Sequence, residues 1–179
     1  MKYVDNIYLI GPMGSGKTAV GRQLAKELGR EFFDSDAEIE KATGVDIAYI
    51  FEKEGEASFR SRERDCIAGL TQLKGVVLAT GGGAVLDEEN RRKLAANGIV
   101  IYLRTSVDRQ LERTQHAKNR PLLFGTNPRE TLERLAAERG PIYEKLATFS
   151  VETGGRHVKA VVSNIRKILN KGGSQPLKN

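Results

Sequence analysis

The sequence predicts an α/β fold, a parallel sheet with helices packed on both faces. Strand-like and helix-like segments alternate along its 179 residues, the pattern of parallel strands joined by helical crossovers. Val76-Val77-Leu78-Ala79 is apolar at every position, as a strand covered on both faces must be. The segment from Gly11 to Thr18 (GPMGSGKT) fits G-x-x-x-x-G-K-[ST]. It stands between an apolar stretch and an amphipathic one, the strand–loop–helix setting of a phosphate-binding P-loop.

The elements follow in order. Ile7 to Ile10 is the first strand, and Thr18 to Leu28 the first helix, with Val20, Leu24 and Leu28 on one face. Glu31 to Asp34 is a short second strand. Ala37 to Thr43 is helical and stops at Gly44, a C-cap residue. Ile47 to Leu70 is mostly helical, with a break near Gly55. Val76 to Ala79 is the third strand. A helix from Asp87 to Asn97 closes at Gly98, and Ile99 to Leu103 is the fourth strand. Ser106 is the N-cap of a helix reaching about Thr114. Gln115 to Pro128, with His116, Lys118 and Arg120 and three breakers at Pro121, Gly125 and Pro128, reads as a mobile lid. Arg129 to Ala147 is a helix that Gly140-Pro141 can interrupt, and Phe149 to Glu152 is the last strand. Val158, Val161, Val162, Ile165, Ile168 and Leu169 form a core-facing helical stripe. Residues 1–170 thus make one domain, and Lys171 to Asn179 reads as a disordered tail.

Composition narrows the function. Charged residues at 29% and hydrophobic ones at 39% suit a globular protein. No apolar run is long enough to span a bilayer, and the first five residues lack the apolar centre of a signal peptide. One cysteine, Cys66, excludes an intrachain disulfide and suits a reducing cytoplasm. A net charge of +6 with only 6% aromatic residues and no tryptophan favours small anionic ligands over a base-stacking nucleic-acid surface. His116 and His157 have no partners at metal spacing, which argues against zinc.

Ligands of such sheets bind at the carboxyl ends of the strands. The loop glycines turn backbone N–H groups toward an anion at a helix N-terminus. Lys17 is expected to reach the β- and γ-phosphates, and the Thr18 hydroxyl to bind Mg²⁺. After the second strand stand Asp34, Ser35 and Asp36. Such carboxylates can support Mg²⁺ or hold the hydroxyl that attacks the γ-phosphate, and one of them can also cap the next helix. No carboxylate follows Ala79, so Asp34 is the natural metal partner of Thr18. Instead Thr80-Gly81-Gly82-Gly83 offers bare backbone to a substrate. Arg60, Arg120 and Arg139 are candidate anion grips.

The ordered set closely resembles the shikimate kinases from Asn6 to about Leu169. It comprises the P-loop, Asp34-Ser35-Asp36, the stretch from Gly55 to Arg60 (GEASFR), Ala79 to Gly83, Arg120 to Leu123, and Arg139 followed by Tyr143. The resemblance implies a P-loop kinase three-layer sandwich with a five-stranded parallel sheet in the order 2-3-1-4-5 and a lid over about 115–128. It implies transfer of the γ-phosphoryl of ATP to the 3-hydroxyl of shikimate, in the pathway to chorismate and the aromatic amino acids. Under it, Met13, Gly14, Ser15, Gly16, Lys17 and Thr18 hold the ATP phosphates, with Thr18 and Asp34 on Mg²⁺. Asp36 holds the reacting hydroxyls and is the candidate base, in a substrate-binding helical region of about 36–62. Arg60 and Arg139 clamp the shikimate carboxylate, and Gly82 meets the ring hydroxyls. Arg120 closes over the phosphates, and Arg113 and Arg156 lie on the adenine side. The implied partners are ATP and shikimate, with no nucleic acid or membrane, for a cytoplasmic monomer. Two other readings fit some of the residues: a kinase of another small acceptor, such as gluconate or a nucleoside monophosphate, and a non-catalytic nucleotide-dependent binding protein. Intact Lys17, Thr18 and Asp36 argue against the second.

Overall fold

The structure, a computed structural model, describes residues 5–115 and 121–172. Five parallel strands form one sheet: β1 (Asn6–Ile10), β2 (Phe32–Asp34), β3 (Val77–Ala79), β4 (Gly98–Arg104) and β5 (Phe149–Glu152). Their order is β2-β3-β1-β4-β5, as the resemblance implies. The helices are α1 (Lys17–Leu28), α2 (Ser35–Thr43), α3 (Ile47–Glu54), α4 (Glu56–Leu70), α5 (Glu88–Asn97), α6 (Val107–Thr114), α7 (Pro128–Leu146) and α8 (Val158–Gly172). None of the described helices is long and apolar enough to cross a membrane.

The central strand shows why the sheet is buried on both sides. Side chains alternate along a strand, so Ile7 and Leu9 point to one layer and Tyr8 and Ile10 to the other. Ile7 and Leu9 join Val20 and Leu24 of α1 and Val161, Val162, Ile165 and Leu169 of α8. Tyr8 and Ile10 join Ile67 of α4, Leu94 of α5 and Tyr143 of α7. The stripe of α8 is therefore core. A third cluster, Ile39, Ile47, Ile50 and Phe59, ties α2, α3 and α4 together and builds the wall opposite the P-loop. Cys66 packs against it, half-buried in α4, and burial pushes its thiol up to about 11.

Most element ends shift by a residue, and three departures from expectation have a clear physical reason. The second helix begins at Ser35 rather than Ala37, because Asp34 caps it: its Oδ1 accepts from the backbone N–H of Asp36 at 3.0 Å and of Ala37 at 3.3 Å. Gly140-Pro141 does not interrupt α7. A proline inside a helix costs about 3 kcal/mol, but α7 buries Leu132 and Leu135 before it and Tyr143 after it, so packing on both sides carries the helix through. Lys171 and Gly172, expected in the tail, complete the last turn of α8. The rest of the tail, like His116, Lys118 and Arg120 of the expected lid, lies outside the described residues.

Candidate active site

The P-loop leaves β1 and closes on itself before α1. The Ser15 N–H bonds the Pro12 carbonyl at 3.2 Å. Gly16 caps α1 at φ 91°, in the left-handed region where a side chain is strained. The Lys17 ammonium folds back over the loop, donating to the carbonyls of Gly11 at 2.7 Å and Pro12 at 2.8 Å. Helix α6 braces the loop from outside. Gln110, only 2% exposed, donates to the Met13 carbonyl at 2.9 Å, and Arg113 donates to the Gly14 carbonyl at 2.7 Å.

This loop forms one wall of a cavity of about 440 Å³. Met13 to Thr18, Arg113 and Arg156 all line it, together with Thr153, Val158 and Val161. The backbone N–H groups and the α1 N-terminus suit phosphates there. Arg113 and Arg156 hold the rim, although Arg113 is engaged with the loop itself.

A second cavity, of about 310 Å³, opens on the other side of Asp36. Helix α4 supplies Phe59, Arg60 and Glu63, helix α7 supplies Arg139, and Gly81, Gly82 and Gly83 form its bare wall. Pro121 and Leu122 close it from above. Two of the three glycines stand in crowded positions. A Cβ on Gly81 would stand 2.7 Å from Glu63 Oε2 and 2.8 Å from Asp36 Oδ1, and one on Gly83 would overlap the Arg60 guanidinium. The two cavities share Met13, Thr18, Asp34, Asp36, Gly81 and Gly82, so a group held in one can meet a group held in the other at these residues.

Thr18 and Asp34 are in direct contact: the hydroxyl donates to Asp34 Oδ2 at 2.6 Å. Asp34 thus works with both oxygens, Oδ1 on the α2 cap and Oδ2 toward Thr18. Capping and metal support are compatible in one residue. A hydroxyl and one carboxylate are hard oxygen donors of the kind Mg²⁺ takes alongside water and phosphate oxygens. Among the described residues no group of three or more His, Cys, Asp or Glu side chains could hold a metal ion.

Arg60 and Arg139 line the same cavity but differ in state. Arg139 is 5% exposed, and its Nε has no hydrogen-bond partner. Arg60 is already paired, with Glu63 Oε1 at 2.8 Å and with Glu56 Oε1 at 3.1 Å. Arg139 is accordingly the stronger candidate grip for an incoming carboxylate, with Arg60 adding charge from within its own ion pairs.

Sequence reasoning assigned no role to Glu63 or Gln110. Glu63 is three residues after Arg60 on α4, a spacing that puts both on one face, and that was the available signal. Gln110 shares a face of α6 with Arg113 and Thr114, but nothing in the sequence marks that face as lying under the P-loop. Burial pushes the Glu63 carboxyl from its ordinary 4.5 up to about 7, against the pull of the Arg60 guanidinium. A carboxyl raised in the folded state contributes stability that is complete below its unfolded value and lost as pH rises through its folded value. Wild-type protein is expected to lose up to about 3 kcal/mol from this group between pH 4.5 and 8. In Glu63→Gln that part of the slope is absent, and urea unfolding at pH 5, 6, 7 and 8 measures it. Parallel slopes in the two proteins would show that Glu63 is ionised throughout.

Comparison with known proteins agrees with this geometry. Residues 13–170 match the family model described as shikimate kinase. A shikimate kinase of Methylococcus capsulatus is 56% identical over 175 residues, 98% of this chain and 98% of its own. One from Actinobacillus pleuropneumoniae serotype 5b is 57% identical over 164 residues, 92% of this chain and 95% of its own. The solved structure of shikimate kinase from Acinetobacter baumannii in complex with shikimate is 48% identical and superimposes with a TM-score of 0.95, covering 97% of each chain. Deoxyadenosine kinase from M. mycoides, 19% identical with a TM-score of 0.64, shares the fold alone. With its family match spanning nearly every described element and its sheet in the expected order, this chain belongs to the shikimate kinase family.

Proposed function

We propose that this chain transfers the γ-phosphoryl group of ATP to the 3-hydroxyl of shikimate, giving 3-phosphoshikimate and ADP. The observation that carries this is the pair of cavities meeting at Thr18, Asp34, Asp36 and Gly82. One is walled by phosphate-binding backbone and the other by a buried arginine, a carboxylate and bare glycine, as a hydroxylated carboxylic acid needs. ATP binds along Met13 to Thr18 with its base toward Arg113 and Arg156. Shikimate binds with its carboxylate on Arg139, assisted by Arg60, and its ring against Gly82. The oxygen of the 3-hydroxyl, hydrogen-bonded to Asp36, forms the new bond to γ-phosphorus as the β–γ bridge breaks and ADP leaves. The hydroxyl proton passes to Asp36 or to water. Lys17 offsets the charge that develops on the β- and γ-oxygens. Mg²⁺, held by Thr18 and supported by Asp34, would supply charge neutralisation between those phosphates. Arg120 would close over the phosphates and exclude water as a competing acceptor. The same proposal takes the enzyme to be a cytoplasmic monomer whose partners are these two small molecules, neither nucleic acid nor a membrane.

The test is shikimate-dependent release of ADP in the presence of Mg²⁺, run beside a panel of gluconate and nucleoside monophosphates. Turnover of gluconate without turnover of shikimate would overturn the choice of acceptor, and ADP release with no acceptor at all would overturn the transfer. Arg139→Ala is expected to raise the KM for shikimate about ten- to a hundredfold, the size of a lost charged hydrogen bond, and to leave the KM for ATP unchanged. An unaltered shikimate KM would remove Arg139 from the carboxylate site.

A further inference from the structure

Tyr143 belongs to the motif that begins at Arg139, yet the proposed mechanism gives it nothing to do. Its side chain is 2% exposed and stacks on Tyr102 of β4, with ring centroids 5.0 Å apart and planes inclined by 27°. Its hydroxyl donates to the carbonyl of Gly82 at 2.5 Å. The Arg139 guanidinium stands close enough to the same hydroxyl to pull against the burial that raises it. A phenol has one proton to give and lone pairs to receive, so one oxygen joins the bare glycine wall to the buried arginine.

The loop is pinned on either side of Gly82, by the Gly81 N–H on Ser35 Oγ at 3.0 Å and the Leu86 N–H on the Gly83 carbonyl at 3.1 Å, and the phenol holds the Gly82 carbonyl between them. The Arg139 guanidinium stands close by, its Nη1 within 3.6 Å of where a Cβ on Gly82 would be, but its Nε makes no hydrogen bond. Pro141 lies between Arg139 and Tyr143 in α7 and withholds a backbone N–H from that turn. The Tyr102 stack holds the phenol ring in place, and burial pushes its hydroxyl up to about 12, so it keeps its proton at any working pH.

We propose that Tyr143 is a positioning residue, whose hydroxyl locks the Gly82 backbone to the Arg139 guanidinium so that the ring wall and the carboxylate grip of the acceptor site move as one unit. The proposal rests on the reading of this cavity as the shikimate site. It predicts that the hydroxyl matters for acceptors that carry a carboxylate and not for the nucleotide.

Tyr143→Phe removes one oxygen and keeps the ring. It is expected to raise the KM for shikimate about tenfold and to leave the KM for ATP unchanged. Against the same cyclohexene triol lacking its carboxylate, a poor acceptor, the variant and the wild type are expected to perform alike. In an Arg139→Ala background the Phe substitution is expected to add little, because the lock needs both groups that it joins and one of them is gone. Tyr102→Phe, which keeps the stack and touches neither Gly82 nor Arg139, serves as the control. An unchanged shikimate KM in a folded Tyr143→Phe protein overturns the proposal, as does an equal rise with or without Arg139, or an equal rise for ATP. Circular dichroism establishes folding at the assay temperature. Should the Phe variant be unfolded, difluorotyrosine at position 143 keeps the ring and brings the hydroxyl into the assay range. The shikimate KM then rises as the phenol loses its proton, and a flat profile overturns the proposal. Failure of the wild type to use shikimate would instead overturn the assignment of the acceptor, a separate result.

Discussion

Lys17→Ala lowers kcat by about three orders of magnitude, the loss expected when a preorganised charge is removed from a phosphoryl transition state. The ammonium does not hang free in the cavity. It is aimed by the carbonyls of Gly11 at 2.7 Å and Pro12 at 2.8 Å, the two residues that follow β1. Charge held in advance needs no reorganisation as the γ-phosphoryl departs, and for that reason it acts on kcat more than on nucleotide affinity. The fold is expected to survive, because the core under α1 rests on Val20 and Leu24 rather than on Lys17. Lys17→Arg is a sharper variant. It keeps the charge but spreads it over a planar fork that cannot occupy the same point between two carbonyls, so it is expected to recover little of the lost rate. Steady-state ADP release at saturating shikimate, beside a nucleotide-binding titration, separates the two parameters. A kcat within tenfold of wild type in Lys17→Ala would mean that the transition-state charge is met elsewhere.

Much of the donor half could be read from the chain because its chemistry is local. A P-loop is a run of eight residues whose backbone does the binding, so spacing alone specifies it. The same holds for Gly55 between α3 and α4, for the Ser106 cap of α6, and for β5 at Phe149–Glu152. What local pattern could not give was tertiary compensation. Gly140-Pro141 carries the signal of a helix break, and only the burial of Leu132, Leu135 and Tyr143 across α7 overrides it. Helix α2 starts two residues before the pattern places it because Asp34 caps it through Oδ1 while Oδ2 accepts from Thr18, and no spacing rule says which of two neighbouring carboxylates takes the cap. In the acceptor half, the pairing of Arg60 with Glu63 and Glu56 alters the balance between two arginines that look alike in the sequence. Gln110 and Tyr143 matter through partners 97 and 61 residues away, a distance over which no spacing rule operates.

Asp36→Asn is the other substitution expected to remove most activity, by about two to four orders of magnitude, the usual worth of a positioned acid–base group. Asp36 stands in the first turn of α2, where Asp34 accepts its backbone N–H at 3.0 Å, and it borders both cavities. Its Oδ1 occupies space beside Gly81 that a Cβ there would contest, at 2.8 Å, so the bare glycine leaves room for the carboxylate at the meeting of the two cavities. Asparagine has the same shape and fits the same space, so folding should be preserved. It differs in carrying no negative charge and in turning one acceptor into a donor. A hydroxyl that must give up its proton then faces a neutral amide. The split between parameters distinguishes the two roles open to Asp36. If it chiefly draws the proton, kcat falls while the shikimate KM holds. If it chiefly orients the hydroxyls, KM rises with it, and Asp36→Glu, which restores the charge one methylene further out, fails to rescue. A folded Asp36→Asn protein with unimpaired turnover would exclude Asp36 from the reaction and leave the attacking hydroxyl to be oriented by the Gly82 wall and Arg139 alone.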